Sequence, residues 1–265
     1  MIDTIDYGKL DKIEASRFLF YPRPEDEYAK RAPDNSVLIP VEGAVVGARF
    51  HAGDKSWPNV LFFHGNGEIA ADYDDIADLF LGAGLNFFVV DYRGYGRSTG
   101  APSISFMLQD AHAEFNFFLR RLKEDGHTGP LIVMGRSLGS APALELLASY
   151  GEKIDAAVIE SGFAHSDTLL RLVGVRLSYF GLTEEDGFRN LDKIRTFGKP
   201  TLIIHAENDE ILPLRDGRAL YEASPAPEKR MLEVRGAGHN DILFHDPAGY
   251  MQAIKDLALG LRPQV

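Results

Sequence analysis

The chain has 265 residues, 45% of them apolar, no cysteine and a formal net charge of −11. This length and apolar content can bury one sizeable core, so a single domain covering residues 1–265 is expected. The negative balance argues against a nucleic-acid or anionic-membrane partner, and the lack of cysteine excludes disulfides, thiol catalysis and cysteine-ligated metal.

No apolar run approaches the roughly 20 residues that cross a bilayer, and the start, with Asp3, Asp6 and Asp11, has no basic segment or apolar signal core. A cytoplasmic protein without a membrane span is the expectation. In chain order, residues 1–33, with Tyr21-Pro22-Arg23-Pro24, read as a surface strap. Two strands at 37–39 and 44–50, joined by a turn at Glu42-Gly43, open an antiparallel start. Short strand patterns at 60–63, 87–90, 131–134, 156–160, 201–205 and 230–234 then alternate with helical patterns at 69–81, 105–122, 138–150, 213–222 and 247–261. Such alternation predicts an α/β fold: a mostly parallel eight-stranded sheet with helices on both faces.

The segment Gly135-Arg136-Ser137-Leu138-Gly139 lies between the run at 131–134 and the helix that follows. A serine on a sharp strand-to-helix turn is held in a strained backbone with its hydroxyl exposed, and glycines two before and two after remove Cβ atoms that would collide. The turn also places Ser137 at a helix N-terminus, where free N–H groups favour a developing negative charge. A hydroxyl needs a base and a group to orient that base. Asp209, in the loop after the run at 201–205, and His239, in the loop after 230–234, both follow strand C-termini and so fall on the same edge of a parallel sheet. His205 lies inside a strand pattern and His245 at the start of the last helix, so both read as structural; Glu160, ending its strand, is the alternative acid.

In these residues the chain resembles the α/β-hydrolase superfamily, whose serine, acid and histidine follow one another in the order of Ser137, Asp209 and His239. Phe62-Phe63-His64-Gly65-Asn66-Gly67 is similar to the family's His-Gly loop, and Asp91-Tyr92-Arg93-Gly94-Tyr95-Gly96-Arg97-Ser98 to its next loop. The nearest likeness is to small serine hydrolases: lysophospholipase-like, acyl-protein-thioesterase-like and dipeptidyl-peptidase-like proteins. The resemblance implies an oxyanion hole from the backbone N–H groups of Leu138 and Asn66, with Gly67 as the alternative second donor, a substrate-facing loop at Gly65 and Gly67, and no metal or organic cofactor. His64 and Asp91 are expected to be structural.

Residues 163–199 stand where many relatives carry a large helical cap, so a short or absent cap is expected. Leu169, Leu172, Val173, Arg176, Leu177 and Phe180 recur at helical spacing, a stripe that either packs a helix on the sheet or, with Phe163, lines an acyl pocket. The expected activity is cleavage of a small-molecule carboxylic ester or thioester through an acyl-enzyme. A serine peptidase and a non-catalytic binding module on the same fold are the alternatives.

Overall fold

A computed structural model describes residues 5–25 and 35–261. Residues 1–4 and 26–33 of the expected strap lie outside the described residues. Eight strands among the described residues form one sheet: β1 (Ser36–Val41), β2 (Ala44–His51), β3 (Asn59–Phe63), β4 (Asn86–Val90), β5 (Leu131–Arg136), β6 (Ala156–Glu160), β7 (Thr201–Ala206) and β8 (Lys229–Val234). Their order is β1-β2-β4-β3-β5-β6-β7-β8, with β1 and β2 antiparallel to their neighbours and all pairings from β4 to β8 parallel.

The α-helices are α1 (Gly8–Asp11), α2 (Ala77–Gly82), α3 (Ile104–Asp125), α4 (Ser140–Tyr150), α5 (Ser166–Leu170), α6 (Asn190–Arg195), α7 (Leu214–Ala223), α8 (Ile242–His245) and α9 (Pro247–Leu259). The period-2 geometry of β3 sends Leu61 and Phe63 to one face and Val60 and Phe62 to the other. The first face packs against Phe115 of α3 and Leu144 of α4, together with Leu10 and Leu19 of the N-terminal segment. The second packs against Phe80 of α2 and Ile254 of α9. Both faces are covered, so the inner parallel strands β3, β4, β6 and β7 read as largely apolar runs rather than as alternating ones, while the edge strand β8 is only partly buried.

Two expected helices differ. The span 69–81 is a 3-10 turn, Ala70–Tyr73, followed separately by α2. Asp72 bonds back to the Ile69 N–H at 3.0 Å and Asp91 accepts from the Ala70 N–H at 2.8 Å, so side chains take backbone donors at the start of this segment. The apolar stripe of the cap segment is likewise not one helix. Gly174 at φ 74° divides it into α5 with its 3-10 extension and a separate 3-10 turn, Leu177–Phe180, which Gly181 at φ 68° ends, because a left-handed residue ends a right-handed helix.

Candidate active site

β5 runs through Arg136 and stops at Ser137, whose φ of 52° is left-handed, and a 3-10 turn at Ser137–Gly139 leads into α4. The glycines on either side have a steric cause. A Cβ on Gly135 would lie 2.2 Å from the Gly139 carbonyl oxygen, and one on Gly139 would lie 2.1 Å from that of Phe63. The tight turn is therefore packed directly on the end of β3.

The Ser137 hydroxyl donates to His239 Nε2 at 2.9 Å, and His239 Nδ1 lies 2.9 and 2.8 Å from the two oxygens of Asp209. With the carboxylate on that side, the network puts the imidazole proton on Nδ1 and leaves the Nε2 lone pair facing the serine. All three side chains come from loops after parallel strands, β5, β7 and β8, and meet at one sheet edge. Asp209 also accepts from the Ile211 and Leu212 N–H groups at 3.0 and 2.7 Å. Burial pushes the Asp209 carboxyl up, but the hydrogen bond and charge of His239 and the Leu212 N–H outweigh it and hold the group below the usual carboxylate range. Glu210 accepts from the His239 N–H at 3.1 Å and so ties the two loops together.

The rival residues have other occupations. His205 is buried, donates from Nε2 to the Leu212 carbonyl at 2.8 Å and is held below the ordinary histidine value by burial. His64 sits behind its loop, with Nδ1 donating to the Gly65 carbonyl at 2.8 Å and Nε2 3.3 Å from Asp91. Glu160 accepts from Tyr250 and Arg136.

The Asn66 and Leu138 N–H groups have no acceptor among the described residues in the hydrogen-bond pattern of the loops. The Asn66 side chain is clamped: its Nδ2 donates to the Leu19 carbonyl at 2.5 Å, and its Oδ1 accepts from the Tyr21 N–H at 3.0 Å and the Tyr95 hydroxyl at 2.7 Å. Gly67, at φ 78°, allows the turn that presents Asn66.

A cavity of about 340 Å3 opens beside Ser137. Its apolar wall is Leu19, Leu138, Leu169, Leu172, Val173 and Ile211, and its polar side is Asn66, Arg136, His239 and Asn240. Gly65 and Gly67 shape the loop, while Asn66 between them meets the cavity. Phe163 does not line it; its ring is fully buried, edge-on to Phe188 with centroids 5.1 Å apart. Among the described residues no group of three or more His, Asp or Glu side chains is arranged to hold a metal ion. Among them, too, no helix is long and apolar enough to cross a membrane.

Residues 55–179 match the family model described as serine aminopeptidase, S33. The chain is 32% identical over 200 residues to alpha/beta hydrolase domain-containing protein 17B of Xenopus laevis, a match covering 74% of this chain and 64% of that protein. The fold is similar to that of the Pyrococcus furiosus esterase Pf2001, with a TM-score of 0.69 at 17% identity over 90% of this chain and 96% of the other. It is also similar to a soluble variant of the Saccharomyces cerevisiae monoglyceride lipase, with a TM-score of 0.67 at 16% identity over 89% and 97% of the two chains. The chain belongs to the α/β-hydrolase superfamily.

Part of what surrounds the site in this α/β-hydrolase has no local sequence signal. Leu19 and Tyr21 of the N-terminal segment form cavity wall and clamp Asn66, contacts made across more than 40 residues of sequence that no local pattern records. Arg136, immediately before the serine, lies outside the motif's fixed positions but is marked in the sequence. Its signal was a charged residue ending an otherwise apolar strand beside Glu160, which ends the next strand in register.

Proposed function

We propose that the protein is a serine hydrolase that cleaves carboxylic esters or thioesters of apolar acids through an acyl-enzyme on Ser137. The observation carrying this reading is the continuous hydrogen-bonded chain from the Ser137 hydroxyl through the His239 imidazole to the Asp209 carboxylate. In this mechanism His239 Nε2 takes the hydroxyl proton as Ser137 Oγ attacks the carbonyl carbon. The tetrahedral oxyanion is met by the Leu138 and Asn66 N–H groups, donors of the kind worth about 2.7 to 4 kcal/mol each. His239 then protonates the leaving alcohol or thiol, and after a water enters it repeats the base step to release the acid. Asp209 stays ionised throughout and holds the Nδ1–H tautomer.

The acyl half is assigned to the leucine-rich wall of the cavity, because apolar area removed from water there is regained in the acylation transition state. Profiling p-nitrophenyl esters from acetate to decanoate tests this assignment. Each methylene buried should contribute about 0.8 kcal/mol, so kcat/KM should rise by at least about tenfold between acetate and hexanoate. Indifference across the series would remove the apolar acyl site from the account.

The family model's description as a serine aminopeptidase favours a second reading, since the same three residues cleave amides. Recognition of a peptide N-terminus calls for a carboxylate to meet the ammonium. The described lining of the cavity carries Arg136 as its formal charge beside His239 and no Asp or Glu, which supports esters or thioesters over aminoacyl substrates. Aminoacyl p-nitroanilides belong in the same screen.

A further inference from the structure

We propose that Arg136 is a positioning residue that locks the oxyanion loop and the histidine loop to each other and to the nucleophile turn, and so sets the rate of the chemical step. This rests on the serine-hydrolase reading above.

The donors of Arg136 reach both loops. The guanidinium Nη2 donates to the backbone carbonyl of His239 at 2.9 Å and to Asn240 Oδ1 at 3.1 Å. Nη1 donates to Glu68 Oε1, and Nε to Glu160 Oε1 at 3.2 Å. Glu68 passes the link onward, since its other oxygen accepts from the Gly65 N–H at 2.6 Å and from the Tyr73 hydroxyl at 2.6 Å. Glu160 is fixed in turn by the Tyr250 hydroxyl at 2.7 Å. One planar group therefore reaches the residue that carries the base and the carboxylate that holds the residue before Asn66. Through the chain itself it is also joined to Ser137.

The packing is as specific as the bonding. A Cβ on Gly65 would lie 2.5 Å from Arg136 Nη1 and 3.0 Å from a Glu68 oxygen, so the guanidinium and its partner occupy the space a side chain there would need. Burial pushes the Glu68 carboxyl up, but the Arg136 charge and the hydrogen bonds outweigh it and leave Glu68 low. For Glu160 burial prevails and its carboxyl is raised. Glu68 thus stays the anionic arm of the lock. A lysine would keep the charge but not the fork, because one ammonium cannot span Glu68, Glu160 and the His239 carbonyl together. The reacting groups must be held to within a fraction of an ångström, and a displacement of about 1 Å can cost about 100-fold in rate.

The test compares Arg136→Lys, Glu68→Gln, their combination and Asn240→Ala, using p-nitrophenyl ester kinetics and thermal unfolding, with Ser137→Ala as blank. For Arg136→Lys we expect cooperative unfolding, kcat down by about 100-fold and KM within about threefold of the parent. Glu68→Gln should lower kcat by about tenfold, and the double variant should fall no further than Arg136→Lys, since both cut one connection. A folded Arg136→Lys with parental kcat, a loss confined to KM, or additive losses in the double variant would overturn the proposal. Should Arg136→Lys fail to fold, parental kcat in both Glu68→Gln and Asn240→Ala would do the same. Absence of any Ser137-dependent turnover in the unmodified chain would instead sink the hydrolase reading itself.

Discussion

Replacing Ser137 by glycine is expected to make the protein more stable while abolishing turnover. Its φ of 52° places a Cβ-bearing residue in the left-handed region, a conformation that costs about 1 to 2 kcal/mol for an L-residue other than glycine. Ser137→Ala keeps that cost and loses the hydroxyl; Ser137→Gly loses both. Both variants should lower kcat by at least about 10,000-fold, because in the proposed mechanism Ser137 supplies the attacking oxygen. Ser137→Gly should unfold at higher denaturant than Ser137→Ala, by about 1 kcal/mol. Paired denaturant titrations read the difference, and an alanine variant more stable than the glycine variant would mean that the turn is not strained.

Gly139→Ala is expected to do the opposite and damage the fold itself. Its Cβ would lie 2.1 Å from the Phe63 carbonyl oxygen and 2.7 Å from that of His64. Those atoms belong to the end of β3 and the start of the loop that carries Asn66, and β3 is paired on both sides with β4 and β5. Relief would require moving backbone in the centre of the sheet, so we expect a loss of about 3 kcal/mol or more. Gly198→Ala is the control, because Gly198 is exposed and a Cβ there meets nothing within 4 Å. Denaturation midpoints should be unchanged for Gly198→Ala and sharply lower for Gly139→Ala. Equal midpoints would show that the elbow has room to relax.

Much of this architecture was legible because of where the strands sit. β3, β4, β6 and β7 are buried along their whole length, so apolar runs bounded by polar loops located them within a residue or two. The meeting of Ser137, Asp209 and His239 was legible for a related reason: Ser137 and Asp209 follow the buried strands β5 and β7, His239 follows the partly buried β8, and a parallel sheet delivers all those loops to one edge.

Other features depend on what packs against them. The stripe through Leu169, Leu172 and Leu177 has helical spacing, yet Gly174 breaks it and Gly181 ends it, and those glycines were the visible warning. Of the stripe, Leu169, Leu172 and Val173 reach the cavity while Phe180 is half exposed. Phe163 was expected at the acyl pocket from its place after β6, but it turns inward against Phe188. The strap's contribution through Leu19 and Tyr21, and the Arg136 junction, arise from contacts distant in sequence. Periodicity and spacing carry no record of such contacts.

The most direct test of the hydrolytic account is to quench the enzyme with acid during turnover of a p-nitrophenyl ester and map the acyl adduct by peptide mass spectrometry. The account predicts one adduct, with the mass of the acyl group, on Ser137, absent in Ser137→Ala and forming far more slowly in His239→Ala. Turnover that persists in Ser137→Ala, or an adduct carried by a different residue, would contradict it.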